Sequence, residues 1–240
     1  MLLPHRLFAL PLTITLTLST AALAAMAPNS ATTPVPRDGN WLKLHESFNE
    51  RAKQGDIELV FLGDSITQGW GNNAVWKKHY GPRKAFNIGI GGDRTQHVLW
   101  RLDHGNVDGL KPKLVVLMIG TNNSNGSDNT AEEIGEGIKA IVAKLREKLP
   151  ESKILLLAIF PRGEKPNPQR EKNAKASEIA SQVADGKMVY FLDIGPKFLT
   201  EDGTLAKEIM PDYLHLSPRG YQIWADSIED KVSELLGEKQ

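Results

Sequence analysis

The chain has 240 residues with 29 basic and 29 acidic side chains, 40% hydrophobic residues and no cysteine. The hydrophobic content is enough for a packed core and too high for a wholly disordered chain. Balanced charge removes the electrostatic footprint of a nucleic-acid binder. The missing cysteine excludes disulfides, zinc–thiolate centres and thiol nucleophiles, so chemistry must come from oxygen and nitrogen groups.

Residues 1–27 read as an export signal. His5 and Arg6 give a basic start and Leu7–Leu18 is an apolar run. Small residues then offer two A-x-A cleavage sites, Ala22-Leu23-Ala24 and Ala25-Met26-Ala27. The run is shorter than the roughly 20 residues that span a bilayer, and Pro11 interrupts it. A secreted or periplasmic protein with no stable membrane span after processing is therefore expected, a retained anchor being the alternative. Pro28–Asn40 is rich in Pro, Ser, Thr and Asn and reads as a flexible leader. Residues 41–240 then form one domain.

Within that domain apolar runs alternate with helical patterns. Trp41–Lys53 is a first helix. Ile57–Leu62 is a buried strand ending at Gly63, and Ala85–Ile88 a shorter one. Thr95–Asp103 places Val98, Leu99 and Leu102 on one helix face; Leu114–Ile119 is the clearest strand. Thr130–Leu149 repeats apolar residues at helical spacing behind a capping box, Thr130 with Glu133. Ile154–Phe160 is a strand stopped by Pro161, Asn167–Ala184 a helix, and Met188–Leu192 a fifth strand. Ser217–Leu236 closes the chain as a helix with Ser217 at its N-cap and Pro218 at N1. Five apolar strands separated by helices predict an α/β fold, a parallel sheet covered on both faces. Ligands in such sheets bind beyond the carboxyl ends of the strands.

The strand ends carry the candidate residues. Ser65 lies just beyond the strand ending at Gly63, with Asp64 between them, where a helix should begin, a place for an exposed nucleophilic hydroxyl or for an ordinary N-cap. His215 lies in the loop before the last helix, with Asp212 three residues earlier, close enough to fix an imidazole tautomer. In isolation such a D-x-x-H string is a surface turn. Asn122 and the Gly91-Gly92 pair could supply N–H donors to an oxyanion, or simply make turns.

Taken together, Gly63-Asp-Ser-Ile-Thr67, Asn87-Ile-Gly-Ile-Gly-Gly-Asp93, Gly120-Thr-Asn-Asn123 and Asp212-Tyr-Leu-His215 resemble the four blocks of the GDSL/SGNH hydrolases. The likeness is greatest to catalytic subunits of the platelet-activating-factor acetylhydrolase Ib type. It extends through His97-Val-Leu-Trp-Arg-Leu102, Pro161-Arg162-Gly163 and Arg170-Glu-Lys-Asn173. The resemblance implies a flavodoxin-like three-layer sandwich with a five-stranded parallel sheet. It also implies Ser65 as nucleophile, His215 as base and then acid, and Asp212 as the orienting carboxylate. The N–H groups of Ser65 and Gly92 and the Asn122 side chain would form the oxyanion hole, and Ile66 and Leu214 would narrow the acyl pocket to acetyl. No cofactor or metal is implied; homodimers are common in the family. The substrate would be a small ester, an O-acetylated carbohydrate or a small acetylated lipid.

Three other readings compete. Gly89-Ile-Gly91 resembles the start of a dinucleotide fingerprint, but Arg94 stands where its third glycine belongs. Asp64, Asp93, Asp193, Asp212, His97 and His215 lack metal-ligand spacing. A non-catalytic carbohydrate- or protein-binding module would be favoured by a broken triad, and every matched position is intact. Trp70, Trp76 and Trp100 could stack on a sugar but are expected to pack in the core or against the sheet.

Overall fold

The computed structural model describes residues 28–71 and 73–238. The export signal expected at residues 1–27 lies outside the described residues. Helix α1 (Asn40–Lys53) leads into β1 (Leu59–Gly63), followed by two short helices, α2 (Ser65–Gln68) and α3 (Ala74–His79). Then come β2 (Ala85–Asn87), α4 (Thr95–Asp103), β3 (Leu114–Met118) and α5 (Ala131–Lys148). The chain ends with β4 (Lys153–Leu157), α6 (Pro168–Ser181), β5 (Val189–Leu192) and α7 (Pro218–Leu236). All neighbouring strands are parallel, in the order β2-β1-β3-β4-β5.

Alternation along the strands builds two cores, because successive side chains point to opposite faces. Val60, Leu62, Val115, Leu117, Ile154 and Leu156 pack under α1, α4, α5 and α6. Leu59, Phe61, Leu114, Val116, Leu155 and Leu157 face α2, α3 and α7. The α/β class and the three layers expected from the sequence are what the structure has. Phe61 sits among Trp70, Trp76, Tyr80 and Trp224, with ring centroids 4.7–6.2 Å away. Trp70 is fully buried there, and Trp100 stacks on His104 at 3.8 Å. These tryptophans are packing residues.

Several expected boundaries shift at the carboxyl ends. The apolar run read to Phe160 pairs only as far as Leu157. Ala158 still donates to the Leu192 carbonyl (3.0 Å), but the Ile159 N–H donates to Ser177 Oγ (2.9 Å), so a side chain takes over from the ladder. Ile119, Ile159 and Phe160 stay buried beyond the paired strands, and so read as strand in a hydropathy pattern. The α5 cap forms as expected: Glu133 N–H donates to Thr130 Oγ1 (3.2 Å) and Thr130 N–H to Glu133 Oε2 (2.9 Å).

The larger correction concerns residues 28–40, expected as a flexible leader. They lie along the domain. Ala31 is fully buried, and Thr95 Oγ1 donates to its carbonyl at 2.7 Å. Asn29 Nδ2 donates to the Glu133 carbonyl (3.2 Å), Asn129 Nδ2 to Ser30 Oγ (2.9 Å) and Val35 N–H to the Gln96 carbonyl (3.3 Å). One small apolar contact and a set of side-chain and backbone hydrogen bonds hold the segment, and hydropathy periodicity detects neither.

Candidate active site

The site forms where β1, β2 and β3 end, at the point where the strand order reverses around β1. Leaving β1, Asp64 caps α2 by accepting the Ile66 N–H on Oδ1 (2.9 Å), which sets Ser65 as the first residue of the helix. Ser65 is half-buried and lies at the helix start, where backbone N–H groups have no intrahelical partner.

The imidazole arrives from the loop before α7. His215 Nε2 lies 2.9 Å from Ser65 Oγ, and His215 Nδ1 lies 2.7 Å from Asp212 Oδ2. The other Asp212 oxygen accepts the N–H groups of Leu214 (3.1 Å) and His215 (2.7 Å). Burial raises the Asp212 pKa, but these bonds outweigh it and hold the carboxyl below its ordinary range. The tight turn requires Tyr213 at φ 59°, a left-handed conformation that disfavours side chains. Its backbone is tied on both sides, since Tyr213 N–H donates to Met210 O (2.9 Å) and its carbonyl accepts Gly163 N–H (2.8 Å). The Asp212 and His215 side chains are 56% and 45% exposed, so the hydrogen bond between them adds little to stability; it orients the ring.

The loops after β2 and β3 complete the surround. Asn122 Nδ2 donates one hydrogen to the Asp93 carbonyl at 2.9 Å, which leaves the other for a ligand. Gly91 N–H donates to Gln68 Oε1 at 2.7 Å, and a Cβ at Gly91 would lie 3.7 Å from Ser65 Cβ. Gly91 therefore stands directly beside Ser65, with Gly92 next in the chain. Asp93 is fully buried and accepts from Trp41 Nε1 (2.6 Å), Arg101 Nε (2.9 Å) and Arg37 Nη1 (3.2 Å).

The two expected acyl-pocket residues separate. Leu214 lines a cavity of about 340 Å³ together with Arg162, Asn167, Gln169, Asp212 and Tyr213. Ile66 is only 1% exposed and packs in the core below α2. Arg162, on the cavity wall, carries no sequence signature as a site residue; its Nη1 donates to Thr121 O (3.2 Å) and Asn125 Oδ1 (3.1 Å) behind it. Arg37 and Gln68 were also missed; each acts on a residue distant in sequence, and no local motif announces them.

The acidic residues and histidines weighed as metal ligands do not converge: no group of three or more among the described residues could hold an ion. Asp193 caps a turn through Gly195 N–H at 2.8 Å. His97 Nδ1 accepts the Arg94 N–H (3.0 Å) at the start of α4. Burial, helped by Arg37, Arg94 and Arg101, lowers the His97 pKa to about 4, which keeps it a neutral cap. Among the described residues no helix is long and apolar enough to cross a membrane.

The family model for GDSL-like lipases and acylhydrolases matches residues 61–223, which span the whole site. The chain belongs to that family and is a hydrolase, so the binding-module reading gives way. Its relatives include the human platelet-activating factor acetylhydrolase IB subunit alpha1, 41% identical over 89% of this chain and 93% of that protein. A solved structure of a candidate platelet activating factor from Streptococcus pneumoniae is 27% identical with a TM-score of 0.64. That alignment covers 80% of this chain and 95% of the other. The acetylxylan esterase Axe2 from Geobacillus stearothermophilus shares the fold at 18% identity and a TM-score of 0.59, over 77% of this chain and 96% of its own.

Proposed function

We propose that this hydrolase is a serine esterase that removes a short acyl group, acetyl above all, from an O-acetylated carbohydrate or a small acetylated lipid. The observation that carries the reading is the hydrogen-bonded line from Ser65 Oγ through His215 to Asp212. In this mechanism Ser65 Oγ attacks the ester carbonyl while its proton passes to His215 Nε2, with Asp212 holding Nδ1–H. The carbonyl oxygen gains negative charge and is held by the N–H groups of Ser65 and Gly92 and by Asn122 Nδ2. The C–O bond to the alcohol breaks, and the alcohol leaves with the proton from His215. Water then attacks the acyl-Ser65 ester, gives its proton to the same nitrogen, and the acid departs as Ser65 Oγ recovers a proton.

Support for a short acyl group comes from the names of the relatives, an acetylhydrolase and an acetylxylan esterase, and from Leu214 on the cavity wall beside His215. Export from the cytoplasm, by a signal ending near residue 27, and pairing as a homodimer belong to the same reading. Mass measurement of the mature chain and size-exclusion chromatography test those two points.

The activity is tested with p-nitrophenyl acetate, butyrate and octanoate. Acetate should be cleaved fastest, and Ser65→Ala should lose turnover while keeping its melting temperature. Activity retained in purified Ser65→Ala would overturn the nucleophile, and faster octanoate cleavage the short acyl pocket. A screen for acetate released from acetylated polysaccharides, sialic acids and short-chain phospholipids identifies the alcohol half.

A further inference from the structure

The oxyanion donors in the proposed reaction include the N–H of Gly92, and that N–H shares a peptide group with the carbonyl of Gly91. A peptide flanked by two glycines has little steric resistance to rotation, and Gly92 sits at φ 76°. A donor on such a peptide needs an external restraint to stay aimed at one point. The structure supplies one from the N-terminal segment. Arg37 Nη1 donates to the Gly91 carbonyl at 2.8 Å and to Asp93 Oδ1 at 3.2 Å, gripping the loop on either side of Gly92. A Cβ at Gly92 would lie 3.2 Å from both terminal nitrogens of the guanidinium, so the arginine lies directly against this residue.

We propose that Arg37 is a positioning residue for the oxyanion hole, fixing the Gly91–Gly92 peptide so that the Gly92 N–H stays turned to the reacting oxygen. The inference rests on the esterase reading given above. In a trans peptide the C=O and N–H point to opposite sides, and the described residues contain no cis bond. A cation holding the Gly91 oxygen therefore directs the Gly92 N–H away from itself. The bond is charge-assisted, and polarising the carbonyl strengthens the N–H of the same peptide as a donor. Gln68 holds the N–H of Gly91, so both ends of that residue are clamped. Asp93 links the parts: its carboxylate receives Arg37 and Trp41, and its carbonyl receives Asn122, the side-chain donor of the same hole. The segment expected to be a loose leader thereby becomes a working part of the catalytic domain.

The test compares wild type, Arg37→Ala, Arg37→Lys, Asn29→Ala and Ser65→Ala on p-nitrophenyl acetate, with melting temperatures and the Gly92 amide resonance recorded for each. Losing an oxyanion donor outright costs about 10²–10³ in rate, and misaiming one costs less. Arg37→Ala should lower kcat about 10- to 100-fold with KM within about two-fold, and move the Gly92 amide proton upfield. Arg37→Lys, whose ammonium keeps the charge and the donors but lacks the planar guanidinium that lies against Gly92, should recover part of kcat. Asn29→Ala frees the far end of the same segment, where Asn29 meets Glu133, and should leave kcat unchanged. An unchanged kcat in Arg37→Ala, or equal losses in Arg37→Ala and Asn29→Ala that follow their melting temperatures, would overturn the positioning role. Activity retained by Ser65→Ala would instead overturn the esterase site, and the Gly92 resonance would then decide the Arg37 contact alone: no shift in Arg37→Ala refutes it.

Discussion

Asn122 is held by one hydrogen of its side-chain amide, donated to the Asp93 carbonyl, and the second is free to meet an oxyanion. Asn122→Ala should therefore lower kcat by about 10²–10³ with little effect on unfolding. Asn122→Asp should be equally impaired, since an ionised carboxylate cannot donate. Steady-state kinetics of the purified variants check both. At this scale the sequence was informative wherever a residue carries a local signature. Ser65 lies two residues past a strand-ending glycine, and Asp212 and His215 lie within one turn of each other. It was silent where function depends on pairs distant in the chain: Arg37 meets Gly91 across 54 residues, and Gln68 meets the same glycine across 23. Ile66 shows the converse error. The family resemblance put it at the acyl pocket beside Ser65, but a residue one step into a helix can face inward, and this one does.

The short elements around the site depend on close backbone approach. Where the loop after β2 passes α2, a Cβ on Gly89 would come within 2.4 Å of Gln68 N and 2.8 Å of the Thr67 carbonyl carbon. Backbone cannot move aside as a flexible side-chain tip can. Gly89→Ala should push this loop off α2, destabilise the domain by about 1–3 kcal/mol and lower kcat by misplacing Gly91 and Gly92. Urea unfolding and p-nitrophenyl acetate kinetics on one preparation test both effects; a variant with wild-type stability and kcat would refute the contact. The long elements were legible because each buries a periodic face: α5 places Ile134, Ile138, Ile141 and Leu145 inward and carries its cap in sequence. Helix α3 was not, since its six residues include no fully buried one and so leave no stripe.

For the whole molecule, the sheet order places the ends of β1, β2 and β3 together, and the same convergence buries charge. Asp64 is fully buried with Oδ2 lacking a partner. Burial, reinforced by the nearby Asp93 charge, raises its pKa from 3.8 to about 7. Between those values the folded state holds a proton that the unfolded chain has released, so this group's contribution to stability falls as pH rises through that window and levels off above it. The slope is at most about 1.4 kcal/mol per pH unit. Asp64→Asn keeps an N-capping oxygen and removes the titration. From pH 5 to pH 7, wild type should lose about 2 kcal/mol of unfolding free energy relative to Asp64→Asn, measured by urea denaturation; parallel curves would contradict it. The layers and the parallel sheet could be read from alternating hydropathy, but this burial could not, because it arises only when separate strand ends meet. The central claim, that Ser65 is the activated nucleophile of an esterase, is tested most directly by treating the folded protein with a fluorophosphonate and locating the adduct by mass spectrometry. The expected result is a single covalent adduct on Ser65 that His215→Ala greatly slows; no adduct, or one on a different side chain, would contradict it.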